Sequence, residues 1–432
     1  MSKGTTPTNA EEPLLGPGPV GGSPAQPGSY RRSGILGSLK NAVIKPLTHP
    51  EKRKERLIKG AETGNLEMVK QALKDGADIN ATLFDTYGMT PLHYASLRGH
   101  LNVVRELLSG EGHQGATVDA RDITGYTPLY AASMGGHLDV VRELLSGEDH
   151  QGATVDAAES NGKTPLFIAS LEGHLEVVRE LLSGEGHQGA TIDTQDAEGY
   201  TPLHIASRKG HLEVVRELLS GEGHKGAAVD TANSNGNTPL FIASERGHLE
   251  IVRELLSGEG HQGAAVDAAT NYGYTPLHIA SEWGHLEVVR ELLSGEGHQG
   301  AAVDAATNYG QTPLMLASAR NQLEVVRELL SGEGHPGALI DAATTDGTTP
   351  LYIASQHGRL EIVKELLSGE GHQGATVKKG GVFSKSPLSV ATTPKIKELL
   401  KQAMSESATG GRRRRYTHAK RRKRKNKKTR RH

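Results

Sequence analysis

A chain of 432 residues with 35% hydrophobic but only 4% aromatic side chains is too poor in large groups to fill a wide core, which points to a thin core built many times over. It contains no cysteine, which excludes disulfides and thiolate metal sites and fits an intracellular protein, and no apolar run of about 18 residues, which excludes a membrane-spanning helix. The net charge of −1 hides a split: of 49 Lys and Arg, 14 lie between Arg412 and His432 with no acid among them, so the preceding body carries 35 bases against 50 acids.

Residues 1–50 come first, with six Pro and six Gly in 1–30, and are expected to be disordered. They lack an apolar stretch of secretory type. Ile35–Ile44 reads as a linker or as a short amphipathic helix packed on the first repeat, in preference to one that touches a membrane. Residues 51–84 are expected to form an N-terminal cap: GNLEMVKQALKDGADIN has the helix pattern of the repeats beyond it, while charged Lys52–Arg56 stand where those repeats carry Thr-Pro.

From about 88 to 383 the chain repeats. Thr-Pro recurs at Thr90, Thr127, Thr164, Thr201, Thr238, Thr275, Thr312 and Thr349, 37 residues apart each time. In the unit that opens at Gly199, Thr201 is a good N-cap and Pro202 suits the first helical position, where its missing N–H is not needed. The first helix is expected to stop at Gly210 and a second to run from about Leu212 to Ser220. Leu212, Val215, Leu218 and Leu219 would form its apolar face, opposite Glu213, Arg216 and Glu217. Asn-Ser-Asn-Gly near Gly236 is a turn signal for a finger-like hairpin. Both helices are shorter than the roughly 12–15 residues an isolated helix needs, so only stacking on neighbours stabilises them. One further step of 37 reaches Ser386-Pro387, a decayed copy that begins a C-terminal cap over 384–403.

These residues resemble the ankyrin repeat, whose Thr-Pro-Leu-His-x-Ala signature stands at Thr90–Ala95, Thr201–Ala206 and Thr275–Ala280. The other five full repeats replace the His with Tyr130, Phe167, Phe241, Met315 or Tyr352. The resemblance covers roughly 52–403. It implies an all-α solenoid of about ten units over 51–403, with short β-hairpin fingers, curved into a concave protein-binding surface. The period departs from the family's 33 residues. The four extra residues come after the second helix, in Ser-Gly-Glu-Gly-His-Gln-Gly, and are expected to project as a row of about eight Gly-rich loops.

The chemistry suggested by these loops is mostly accounted for by the repeat itself. Gly110–Gly115 and six other copies match G-x-G-x-x-G, but a helix precedes them and a Glu within them would repel a pyrophosphate, against nucleotide binding. His113, His150, His187, His224, His261, His298, His335 and His372 form a ladder whose steps, at roughly 8–10 Å, are too wide for one metal ion. They read as solvated loop residues, with a shared response to pH left open. A second series, from His100 to His285, comes after Gly between the helices and reads as turn and capping groups; it becomes Gln322 and Arg359 in the last two repeats. No nucleophile–base pair or paired acid occurs once, as an active site would, so neither enzyme activity nor a cofactor is expected.

Within the array, positions that vary between copies are free for recognition. One set is the finger tip: Asp122-Ile123, Glu159-Ser160, Asp196-Ala197, Asn233-Ser234, Asn271-Tyr272, Asn308-Tyr309 and Thr345-Asp346. The other comes after Ala-Ser in the first helix: Leu97-Arg98, Met134-Gly135, Leu171-Glu172, Arg208-Lys209, Glu245-Arg246, Glu282-Trp283, Ala319-Arg320 and Gln356-His357. By the resemblance, both line the concave face. Trp283, the only Trp, with Tyr272 and Tyr309 and the bases Arg208, Lys209, Arg246 and Arg320, are the candidate partner-binding residues.

Residues 404–432 are expected to be a disordered basic tail. Its clusters Arg412, Arg413, Arg414, Arg415 and Lys420, Arg421, Arg422, Lys423, Arg424, Lys425 have the pattern of a nuclear-import signal. The expected protein is therefore a monomeric, non-catalytic scaffold or adaptor for a protein partner, directed to the nucleus rather than the cytoplasm through the import machinery. The alternative is a nucleic-acid-associated protein that contacts phosphates through the tail.

Overall fold

The computed structural model describes residues 49–407 apart from 84–86, 111–113, 147–150, 185–186, 222–223, 259, 296, 369–373 and 378–384. The N-terminal 48 residues and both basic clusters of the tail, with the disorder expected of them, lie outside the described residues. All the repeats fall within one unit of the chain, Pro50–His432.

Each repeat folds as the local residues dictate. The first helices are Pro91–Arg98, Pro128–Gly135, Pro165–Glu172, Pro202–Lys209, Pro239–Arg246, Pro276–Trp283, Pro313–Arg320 and Pro350–Gln356. Each begins on the Pro, behind a Thr in extended conformation. In four of the five repeats without the signature His, those of Thr127, Thr164, Thr238 and Thr349, the Thr hydroxyl accepts from the backbone N–H three residues on, as Thr127 does from Tyr130 at 3.2 Å. In the repeats that keep the His, its Nδ1 accepts from the Thr backbone N–H, at 3.1 Å in Thr201–His204. That acceptance leaves the proton on Nε2, which donates to the next finger at Asn237 O, 3.0 Å away.

The first helices end on Gly in the left-handed region, as at Gly99, Gly136 and Gly210. The seventh ends on Asn321, at φ 67, the only non-Gly with positive φ among the described residues. Asn tolerates that conformation best after Gly. The second helices, among them Leu175–Ser183, Leu212–Ser220 and Leu249–Ser257, are nine residues each. In Leu212–Ser220, Val214, Val215, Leu218 and Leu219 are at most 2% exposed. Leu212 itself is only partly buried, so Val214 takes the core position expected of it. First helices pack on first helices and second on second, and one continuous apolar core runs from Leu57 to Leu400. Helices flank the full repeats: His49–Thr63 and Leu66–Lys74 at one end, Pro387–Val390 and a helix over 394–407 at the other. That last helix continues past the boundary expected at 403.

The fingers depart from expectation. Among the described residues no strand pair forms, so the β-hairpins are tight turns instead. Asp122 shows the design: its N–H donates to Tyr126 O at 3.0 Å, and its Oδ1 accepts from the N–H groups of Thr124 and Tyr126 at 2.8 and 2.9 Å. Successive tips are joined by one backbone bond each, such as Ile123 N–H to Tyr87 O at 2.9 Å and Asn308 N–H to Tyr272 O at 3.0 Å. A strand ladder needs paired exchange along two extended segments, and one bond per neighbour does not supply it.

Two further ladders tie each repeat to the next. Asp119, Asp156, Asp193, Asp230, Asp267, Asp304 and Asp341 each accept the N–H of a residue 35 positions on, for example Thr154 at 3.0 Å. On the second helices Arg105, Arg142, Arg179, Arg216, Arg253, Arg290 and Arg327 donate through Nε to Glu143, Glu180, Glu217, Glu254, Glu291, Glu328 and Glu365 at 2.7–2.9 Å. These arginines are about half exposed, so solvent weakens each pair and the apolar stacking carries the fold.

Candidate interaction surface

The histidines between the helices are joints between repeats. His100, His137, His174, His211, His248 and His285 point Nε2 at backbone carbonyls of the preceding repeat, at 3.0–3.3 Å. A carbonyl only accepts, so Nε2 carries the proton. Gln322 Nε2 and Arg359 Nε donate to the equivalent carbonyls, Glu282 O and Ala319 O, at 3.2 and 3.1 Å. What these positions preserve is a donor of the right length, not an imidazole. The Gly that ends the preceding first helix makes room for the ring: a Cβ at Gly99 would lie 2.5 Å from His137 Nδ1. Burial holds His137 below the ordinary histidine range.

The described loop histidines are not solvated, contrary to expectation. The side chains of His224 and His335 are 9% and 4% exposed. The insertion around His335, described throughout, folds back instead of projecting freely, because the N–H after it, of Ala338, closes on Leu329 O of the second helix at 2.8 Å. His113, His150 and His372 lie outside the described residues.

With those groups committed to structure, the varied positions remain. In the first-helix pair the first residue turns inward, from half-buried Leu97 to buried Glu282 and Ala319, and Arg98, Glu172, Lys209, Arg246, Trp283, Arg320 and His357 are exposed. Trp283 is 56% exposed, Tyr272 46% and Tyr309 49%. Tyr272 and Tyr309 occupy neighbouring tips, since Tyr272 O takes the bond from Asn308. Trp283 does not join them. Tyr272 precedes the N-cap Thr275, whereas Trp283 is the last residue of the helix, about 12 Å further along at 1.5 Å per residue. The helix between them sets two anchor points at opposite ends.

The candidate bases differ in how free they are. Lys209 is exposed. Arg246 is exposed too, with Nε 3.8 Å from Glu245 Oε2. Arg208 is half-buried over the Tyr200 ring, 5.4 Å from its centroid, and burial pushes its guanidinium below the ordinary arginine range. Arg320 holds buried Glu282 with two N–H groups, at 2.6 and 2.9 Å, and is largely committed. Burial pushes the Glu245 carboxyl up, against the opposing pull of Arg246 and Arg208.

Sequence reasoning misplaced part of the finger. Asp122, Glu159, Asp196 and Asn233 are buried turn residues whose 37-residue successors are Thr270, Thr307 and Thr344. The pairs Asn271-Tyr272, Asn308-Tyr309 and Thr345-Asp346 sit one position later, with both residues exposed, whereas in the earlier pairs only the second residue, such as Ile123, is exposed. Comparing Gly125, Gly199 and Gly273, which share one place in the turn, gives the correct register. Also missed were Tyr126, Tyr200 and Tyr274, one residue before each Thr-Pro, where an aromatic ridge meets the first helices. Tyr126 stacks on Tyr130 with centroids 4.3 Å apart, and Tyr274 Oη donates to Gln311 Oε1 at 2.9 Å. Exposed Tyr87 and Ile123 extend the apolar tips at the other end of the array.

Among the described residues no group of three or more His, Asp or Glu could hold a metal ion, and no helix is long and apolar enough to cross a membrane. A family model described as ankyrin repeats (3 copies) matches residues 40–122, 57–157, 108–196, 149–226, 223–303 and 297–380. No curated protein matches the chain.

Proposed function

Because the chain belongs to the ankyrin-repeat family, we propose that it is a non-catalytic scaffold or adaptor that holds a protein partner against its first helices and finger tips. One observation carries the reading: residues constant between repeats are spent on caps, joints and core, while Trp283, Tyr272 and Tyr309 stand exposed where the repeats differ. Large aromatics that leave water for a partner are the residues that most often dominate binding energy. Trp283→Ala is expected to weaken partner binding by about 2 kcal/mol, roughly 30-fold in Kd, with the helical circular dichroism unchanged. Normal binding by this variant, or loss of helicity, removes Trp283 from the site.

The tail supports a separate task. Fourteen bases in 21 residues with no acid give a solvated segment suited to the nuclear-import machinery. Deleting Arg412–His432 is expected to abolish nuclear accumulation while leaving the thermal unfolding of the repeats unchanged. The second reading, phosphate contact with nucleic acid, requires the full chain to bind RNA or DNA with an affinity that falls steeply as salt rises, and to lose that binding with the tail.

A further inference from the structure

We propose that His335 and the other described inserted histidines, His187, His224, His261 and His298, are acid-operated latches, each fastening its insertion to the second helix before it. His335 shows the geometry most completely, because its whole segment is described. The helix Leu323–Ser331 ends on Gly332 at φ 64, and Gly334 at φ 78 turns the chain again. Both conformations favour Gly, and together they fold His335 back onto the helix. Its Nδ1 lies 2.8 Å from Pro336 O, so Nδ1 carries a proton. Its Nε2 is buried without a hydrogen-bond partner, 3.9 Å from Glu328 Oε1.

In the neutral ring that Nε2 presents a lone pair to a carboxylate oxygen, acceptor against acceptor. A second proton turns it into a donor facing the carboxylate, and a shift of about 1 Å makes a charge-assisted bond. The imidazolium would also sit at the helix C-terminus, where the backbone dipole favours a cation. Glu328 Oε2 accepts from Arg290 at 2.8 Å, Arg327 turns the other way to Glu365, Glu333 in the loop is exposed, and Asp304 accepts the Leu339 N–H at 2.8 Å.

The arrangement recurs. Nδ1 faces the next residue's carbonyl at 2.7–3.0 Å in His187, His224, His261 and His298. Nε2 is buried and unpartnered in His224, His261 and His298, and lies 3.8 Å from Glu217 Oε1 in His224. In His187, Nε2 lies 3.2 Å from Glu180 O, so both nitrogens face carbonyls that only the doubly protonated ring can satisfy. A Glu stands seven residues before the His in every full repeat, from Glu106 and His113 to Glu365 and His372.

The test is nitrogen NMR of the histidine rings in the full chain, with amide exchange of Ala338, whose N–H closes the loop on Leu329 O. Spectra at about pH 8 and about pH 5.5 are expected to show the singly protonated His335 ring as the Nδ1–H tautomer and the doubly protonated ring donating from Nε2. Ala338 protection, corrected for intrinsic exchange, should rise about tenfold between those values in the wild type. In His335→Asn, whose side-chain amide replaces Nδ1–H but cannot gain charge, it should not rise. A Nε2–H tautomer at about pH 8, or the same pH dependence of Ala338 protection in wild type and variant, overturns the proposal.

Discussion

Gly247→Ala is expected to destabilise the array by about 3 kcal/mol, against about 1 kcal/mol for Gly260→Ala in the same repeat. Both glycines have positive φ, 72 and 78, so both variants bear the strain of a Cβ in the left-handed region. They differ in what the new methyl meets. At Gly260 nothing lies within 4 Å, whereas at Gly247 it would be 2.6 Å from His285 Nδ1. The ring must move, and with it goes the bond from His285 Nε2 to Glu245 O, 3.0 Å long. The excess of about 2 kcal/mol is that lost joint and the packing around it. Denaturant unfolding of the two variants measures the difference. Equal losses would mean that the histidine joints do not hold the stack.

The second large effect is acid destabilisation. Burial without a counter-charge lowers His204 and His278 to about 4, and burial also lowers His93, against the opposing pull of the Asp122 carboxylate. Above about pH 6.5 these rings are neutral both folded and unfolded, and stability does not depend on them. As pH falls from about 6.5 to about 4 the unfolded chain takes up protons that the folded chain refuses, so stability is lost over that interval, by about 3 kcal/mol for each of His204 and His278. Phe167 and Phe241 occupy the same place in their repeats, so the double variant His204→Phe, His278→Phe should fold. Its unfolding midpoint in denaturant should fall much less between pH 7 and about pH 4.5 than that of the wild type. An unchanged pH dependence would mean that other groups govern acid unfolding.

The helices were legible because their signals are local. Thr-Pro opens each first helix, Gly or Asn321 closes the first seven, and the Leu and Val spacing marks the second. The joints were not, because each links residues 33 to 40 positions apart. His100 and Glu62 O, or Asp119 and Thr154, look unremarkable within a single repeat. The finger turn was readable from Asn-Ser-Asn-Gly, but whether its flanks pair as strands depends on the neighbouring finger. The burial of His224 and His335 depends on glycine conformations that composition alone reads as flexible loop. Rarity and variation between copies single out Trp283 in the sequence. Its separation from Tyr272 is set by the helix that lies between them.

The central claim is that a protein partner lies on the first-helix and finger face. It is tested most directly by placing a photo-crosslinking amino acid in the full chain, in cells, at position 283, at position 309 or, on the second-helix face, at Arg253, and identifying what each captures by mass spectrometry. The account predicts that 283 and 309 capture the same protein and that 253 does not. Capture of that protein at 253 as strongly as at 283, or crosslinks from 283 and 309 to nucleic acid alone, would contradict it.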